Sequence, residues 1–478
     1  MMVLWLLVLP VLAAVGVFLV PAGEAKRWTV WMAVIEVAIF AGLWMSPAKG
    51  INVPWVPSWG VRFHLGADGL SIVMLGLTAV LFVAAALASD QRAGRSYYFW
   101  LLFLEFASMG LFSALDLFLF YIFWEAVLIP IFFLLVGWGG PGGRSAGLRW
   151  LIMNLVGSLF MLVGIIVVGV LHGQTTGHLT FSISALAGSH LAAGYAPWTF
   201  LAFFVAFAIK APLWPLHGWM PDAYGAAPAP VTALLSGILS KAGIYGFLRI
   251  MVPLFLPQMH AYQSALLTLA ALGLVVGAFL ALRQNDMKMV TAYGSLSHMG
   301  MMALGVFSLT KVGMLGATFY MVAHGLLVGG LFLVLGLLEN RTGTRQLRAM
   351  NGLNASAPRL AAYFLFFVLG TLGLPGLPGF AGEYMIIQGL MAHYMVLAVV
   401  AAAVLVLASW YMLRVFQAVM QGPVAGTAIP DLVARQVAWI LPLSAVVLVL
   451  GVWPSTLTSA ATPSLYHALH FMSVGTRY

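Results

Sequence analysis

Apolar runs of about 20 residues recur from one end of this chain to the other. Each is long enough to cross a bilayer core of about 30 Å as a helix. The pattern predicts about fourteen spans, near 2–20, 28–46, 69–89, 97–115, 116–136, 149–171, 198–221, 228–252, 261–282, 288–308, 311–338, 358–392, 394–418 and 436–456, so the expected fold is an all-α polytopic membrane protein. Two spans are irregular. The seventh carries Pro212, Pro215 and Pro221, and the twelfth carries the run Thr371-Leu-Gly-Leu-Pro-Gly-Leu-Pro-Gly379. Proline removes a helix hydrogen bond and glycine loosens the backbone, so both are predicted to be broken helices. Within a membrane, such breaks are tolerated only inside protein or beside a watery cavity.

The positions of the breaks carry information. The seventh span is fourth in a block of five, and the twelfth is fourth in the next block. Interrupted helices in matching places of two halves point to a transporter built from internal repeats. A five-span unit is odd-numbered, so the second copy must enter from the opposite face. The predicted organisation is N-terminal helices over 1–96, a first five-helix repeat over 97–252, an inverted second repeat over 253–418, and a C-terminal helix and tail over 419–478. The first run lacks a basic start and is longer than the core of a signal peptide, so it is expected to be a retained span.

Composition agrees with this reading. Of 478 residues, 63% are hydrophobic and only 7% are charged, against about 25% charged in a soluble domain. The net charge of +9 fits loops biased to one membrane face better than nucleic-acid binding. Connections after odd-numbered spans carry Lys26, Arg27, Arg92, Arg95, Arg144, Arg149, Arg283, Lys288, Arg341, Arg345, Arg348, Arg359, Arg414 and Arg435. Connections after even-numbered spans carry Lys49, Arg62, Arg249 and Lys311. This asymmetry predicts that both termini lie outside the cytoplasm. The chain has no cysteine, which rules out thiolate metal sites and iron–sulfur clusters held by it. No cofactor or metal is expected on this chain, and redox chemistry is expected on partners.

Six ionisable residues fall within the predicted spans: Glu36, Glu105, Glu125, Glu383, Lys210 and Lys241. A lysine at the middle of a spanning helix costs roughly 2.5–3.5 kcal/mol on insertion scales. Hydrocarbon favours the uncharged form of each group, whereas a Glu–Lys pair holds both charged. Moving such a pair apart drives the lysine to release its proton, which makes a switchable proton carrier. The plain structural alternative is a set of ion pairs that tie helices together. Buried pairs stabilise poorly, so a set spread over spans four, five, seven, eight and twelve favours proton traffic. Glu36, near a span end, is expected to reach the interface and receives no role. His298 and His324 stand in spans ten and eleven among small residues, as relay or packing groups. His217, at the break of span seven, either caps freed backbone or takes part in transfer. Zinc-type, Ser–His–Asp and phosphate-loop signatures are not found.

The stretch PLWPLHGWMPDAYGAAPAPVTALLSGILSKAGIYGFLRI resembles the central signature of the proton-channel family shared by respiratory complex I and multisubunit cation/proton antiporters. TAYGSLSHMG, MVAHGLLVGGLFLVLGLL and GLPGLPGFAGEYMII follow in the family's order, and the similarity runs from about residue 65 to 420. The resemblance implies fourteen helices with two inverted five-helix repeats. It implies that Glu125 and Lys210 form the family's ion pair, that Lys241 is its central carrier, that Glu383 faces the second half-channel and that Glu105 is a further family carboxylate. Glu383 stands where most antiporter-like subunits have a lysine and the M-type subunit has a glutamate. The chain also ends soon after span fourteen, unlike the L-type. Both features resemble the M-type chain.

One stretch departs from the family. Its PDAHxEAP reads Pro221-Asp-Ala-Tyr-Gly-Ala-Ala-Pro228 here, with Tyr224 for the histidine and Ala226 for the glutamate. The expected function is proton translocation in the membrane arm of an NADH:quinone oxidoreductase. The expected partners are neighbouring antiporter-like and other membrane-arm subunits, the lipid bilayer and protons, with no nucleic acid. The rival readings are a D-type subunit of a cation/proton antiporter, a hydrogenase-type membrane arm, a membrane transferase using His217 and Asp222, and a structural scaffold.

Overall fold

The computed structural model describes residues 1–46, 50–187, 194–423 and 428–475. Lys49, one of the basic residues used for orientation, lies outside the described residues. A helical segment stands at each predicted span. Among the described residues, nine helices are long and apolar enough to cross a membrane by length and composition. Met2–Gly16, Ala196–Lys210 and Pro358–Thr371 are shorter apolar helices, and Arg95–Ser113 and Met287–Phe307 are two further helices.

Both predicted breaks are present. Span seven runs as a helix over Ala196–Lys210 and resumes over Met220–Ala226. The indole N–H of Trp219 reaches back across the break to the Ile209 carbonyl at 2.8 Å, a partner for backbone freed at the helix end. Span twelve is two helices, Pro358–Thr371 and Pro378–Met391. The link uses Gly373 at φ 74° and Gly376 at φ 92°, values that side-chain-bearing residues rarely adopt.

The eighth span, Ala229–Leu254, differs from a plain helix. It contains two wide π turns, Leu235–Leu239 and Phe247–Met251, on either side of Ser240–Gly246. π turns inside helices are frequent at functional sites. Span eleven, Lys311–Thr342, is a continuous helix packed against span eight. The two backbones approach closely where Gly237 faces Gly325: a Cβ on Gly325 would lie 2.6 Å from the Gly237 carbonyl oxygen. That approach brings Lys241 and His324 within reach of each other.

Two elements lie beyond the predicted spans. An antiparallel hairpin, Ile51–Val56 with Val61–Leu65, occupies the connection between spans two and three. Its turn is a Pro57–Trp59 3₁₀ turn closed by Gly60 at φ 69°. A further helix, Ser455–Gly475, follows span fourteen after Trp453-Pro454. It packs on spans three and eleven, and Ser464 accepts the Gly69 N–H at 2.8 Å.

Outside the spans, Asp68 caps the start of span three by accepting the Ser71 N–H at 3.0 Å. It also takes a two-pronged contact from Arg249 near the end of span eight, with Nη1 to Oδ2 at 2.6 Å. Burial pushes the Asp68 carboxyl up, but the Arg249 guanidinium and the Ser71 N–H outweigh it and hold the carboxyl at about 2.

Candidate functional site

Lys241 has no exposed surface. Its Nζ lies 2.8 Å from Nδ1 of His324. It also meets the Ser236 carbonyl, five residues back across the first π turn, and lies 3.5 Å from Ser240 Oγ. The wide turn turns that carbonyl toward the lysine on its own helix. The contacts of this amine are a carbonyl, a hydroxyl and an imidazole, and no carboxylate touches it among the described residues.

From Lys241 a row of buried polar side chains leads toward Glu383. The rings of His324 and His298 stand 5.0 Å apart, centre to centre. His298 Nδ1 contacts the Tyr320 hydroxyl, which donates to Glu383 Oε1 at 2.6 Å. His298 Nδ1 is also 3.7 Å from that oxygen. Tyr411 approaches the other ring nitrogen at 3.4 Å. All of these side chains are buried. Tyrosine and histidine each donate and accept, so Lys241, His324, His298, Tyr320 and Glu383 stand as a row of groups able to hold exchangeable protons. It runs from span eight to the second half of broken span twelve. Gly373 packs against its end: a Cβ there would lie 2.1 Å from Glu383 Oε2.

The first half is arranged differently. Lys210 is the last residue of Ala196–Lys210 and is fully buried. Its Nζ lies over the rings of Trp124 at 4.7 Å and Trp150 at 5.1 Å, a cation–π arrangement. Glu125 faces both Lys210 and Ser158. Neither Lys210 Nζ nor Glu125 Oε1 finds a hydrogen-bond partner among the described residues. The two charges therefore face one another without the contact expected of a closed ion pair. The indole of Trp124, one residue before Glu125, takes up the space over the ammonium.

Glu36 does not reach the interface as the sequence suggested. Span two is a helix over Ala25–Met45, which puts Glu36 in its middle. Only 1% of it is exposed, it faces Glu105, and both its carboxylate oxygens lack hydrogen-bond partners among the described residues. Glu105, on span four, is equally buried, and neither carboxylate joins the line to Glu383. His217 stays in the break of span seven, half-buried, with Nδ1 lacking a hydrogen-bond partner among the described residues. The structure does not bring it to the line. Asp222, its partner in the transferase reading, instead pairs with Arg149.

The family model described as NADH:quinone oxidoreductase/Mrp antiporter, transmembrane, matches residues 114–409. The chain belongs to this family. Subunit M of NADH-quinone oxidoreductase from Escherichia coli K12 is 34% identical over 487 residues, covering 95% of this chain and 95% of that protein. A chain of respiratory complex I from Thermus thermophilus with bound NADH superimposes at a TM-score of 0.91 with 34% identity, covering 98% of this chain and 99% of that one. A chain of the Mrp complex from Dietzia sp. shares the fold at a TM-score of 0.85 with 24% identity, covering 99% and 98%. The M-type assignment rests on the first two, and they agree with the resemblance read from Glu383.

Within this family member, sequence reasoning missed Tyr320 and Tyr411. Tyr320 precedes His324 by four residues, so the two share one helix face. That spacing was the available signal.

Proposed function

We propose that this chain is a proton-translocating membrane-arm subunit of an NADH:quinone oxidoreductase, with the redox chemistry carried by other subunits. The observation that carries the reading is the buried line from Lys241 through His324, His298 and Tyr320 to Glu383. Such a line has little value to a scaffold, because desolvating several ionisable groups disfavours folding. The relatives named above support the choice of complex.

In this reading Lys241 is the central carrier. His324 and His298 pass the proton, Tyr320 bridges, and Glu383 loads and unloads at the second half-channel. Glu125 and Lys210 act as the switch. Closing the gap between them stabilises the charged lysine, and opening it drives proton release. Glu105 is a further carboxylate of the first half, and His217 retains a supporting place at the break. The five-helix repeats over 97–252 and 253–418 are taken to be inverted copies, and both termini are taken to lie outside the cytoplasm. No redox cofactor is assigned to the chain.

A D-type antiporter subunit is the second reading, favoured only by the shared fold. A tagged chain purified in mild detergent separates the two. Copurification with flavin and iron–sulfur subunits, and NADH-driven proton uptake into vesicles, is the expected result. Recovery with antiporter subunits alone overturns the proposal.

A further inference from the structure

We infer that Trp150 is a positioning residue of the Glu125–Lys210 switch, the partner on which the Lys210 ammonium rests while the pair stands open. The inference rests on the switch role proposed for Glu125 and Lys210.

A charged amine in dry protein needs a partner, since an unpaired buried charge is costly. Lys210 Nζ has no hydrogen bond among the described residues. Two indole faces cover it instead, Trp124 at 4.7 Å and Trp150 at 5.1 Å. The two rings come from different helices. Trp124 lies in Leu117–Ala126, next to Glu125, so it moves with the backbone that carries the carboxylate. Trp150 lies in Gly143–Thr176 and does not.

Span six carries a contact for each member of the pair. Ser158 stands beside Glu125, and Trp150 faces Lys210. Eight residues separate them in the chain, which is about 12 Å along a helix axis. Positions i and i+8 belong to one stripe of a helix, so the two contacts share a side and differ in level. An ammonium resting on Trp150 is thereby drawn off the level of the carboxylate, which is the open spacing of the pair.

The Trp150 ring is mounted to hold that position. It is fully buried, and its Nε1 has no hydrogen-bond partner among the described residues, so packing alone orients it. The Trp219 ring meets it at 4.6 Å between centres and 69° between planes. The Trp219 N–H in turn ties to the carbonyl of Ile209, the residue before Lys210. Span six also packs hard on that residue: a Cβ on Gly157 would lie 2.8 Å from Ile209 Cδ1. The backbone that carries the lysine thus also fixes the ring face offered to it.

In the closed pair the carboxylate neutralises the ammonium. As the pair opens, the charge passes to the negative face of the indole. The ammonium is then not stranded, and it gives up its proton from there. Without the Trp150 face the open arrangement loses one of its two supports, and the pair favours the closed state.

The test uses the whole complex in liposomes. Trp150 is replaced by tryptophan bearing one, two or three ring fluorines, which drain the π face and leave the ring nearly the same size. Protons moved per NADH oxidised are measured beside those of Lys210→Leu, with assembly read from subunit content. The expected result is a stepwise fall with each fluorine, to about half of the native ratio or less at three. A constant ratio across the assembled series overturns the role of Trp150, because a packing residue does not sense the charge of its ring face. The switch reading then stands if Lys210→Leu has lost pumping. Normal pumping by Lys210→Leu overturns the switch and the role of Trp150 with it. If the fluorinated complexes do not assemble, Trp150→Phe, which keeps a π face, is compared with Trp150→Leu, which lacks one. More pumping by Trp150→Phe supports the role, and equal pumping by the two overturns it.

Discussion

Lys241 Nζ and His324 Nδ1 stand 2.8 Å apart in a part of the protein that excludes lipid and solvent alike. A lysine held by an imidazole rather than a carboxylate is placed to give up its proton, since nothing of opposite charge touches it among the described residues. Lys241→Ala is predicted to remove most proton pumping while the complex still assembles. Lys241→Arg is predicted to fail as well, because a guanidinium does not release its proton. Pumping by reconstituted complex, compared at equal subunit content, checks both.

Glu383 accepts from Tyr320 at one oxygen, while the other has no hydrogen-bond partner among the described residues. A carboxylate that loads and unloads must change charge during turnover. Glu383→Gln is therefore expected to cut pumping strongly, whereas Glu383→Lys, which also binds and releases a proton, is expected to retain part of it. A purely packing role predicts the reverse order, and proton-uptake assays on the two assembled variants distinguish them.

Gly373 ties backbone geometry to this chemistry. It combines a φ of 74° with a space that ends 2.1 Å from Glu383 Oε2. Gly373→Ala meets both obstacles and is expected to destabilise the break by roughly 1–3 kcal/mol while displacing the carboxylate. Thermal unfolding in detergent is predicted to shift downward, and pumping is predicted to fall further than that shift explains.

The Asp68–Arg249 pair makes a prediction about pH. The Asp68 carboxyl is held at about 2, below the ordinary aspartate value of about 3.9. Its contribution to stability is fully present above the ordinary value and is lost as pH falls through the lower one. The gap in Tm between the native chain and Asp68→Asn is expected to be complete near neutral pH and to close as the medium is acidified across that window. A gap that is constant across that window contradicts the ion-pair origin.

Much of this was legible in the sequence because membrane insertion penalises polar groups so heavily. Lys210, Lys241, Glu105, Glu125 and Glu383 stood out against apolar surroundings, and the Pro and Gly clusters at 212–221 and 371–379 marked both breaks. What stayed hidden depends on packing. Tyr320 and Tyr411 read as ordinary aromatic residues of apolar helices, and only the fold turns their hydroxyls toward His298. Glu36 is central in the predicted span 28–46 as well as in the helix Ala25–Met45, and its burial opposite Glu105 comes from packing that the sequence pattern does not specify. The open spacing of Glu125 and Lys210 depends on where the Trp124 indole lies, which periodicity does not specify. The π turns around Lys241 have no compositional signal.

The central claim is that protons pass from Lys241 to Glu383 along this row of buried side chains, and Tyr320→Phe cuts the row by removing a single oxygen. The buried carboxylate then loses one hydrogen bond, a cost of about 1–3 kcal/mol that leaves the helices packed. Protons pumped per NADH oxidised by the purified complex in liposomes is the deciding measurement. The account predicts an assembled Tyr320→Phe complex whose ratio falls well below that of the native complex. A ratio equal to the native one contradicts it.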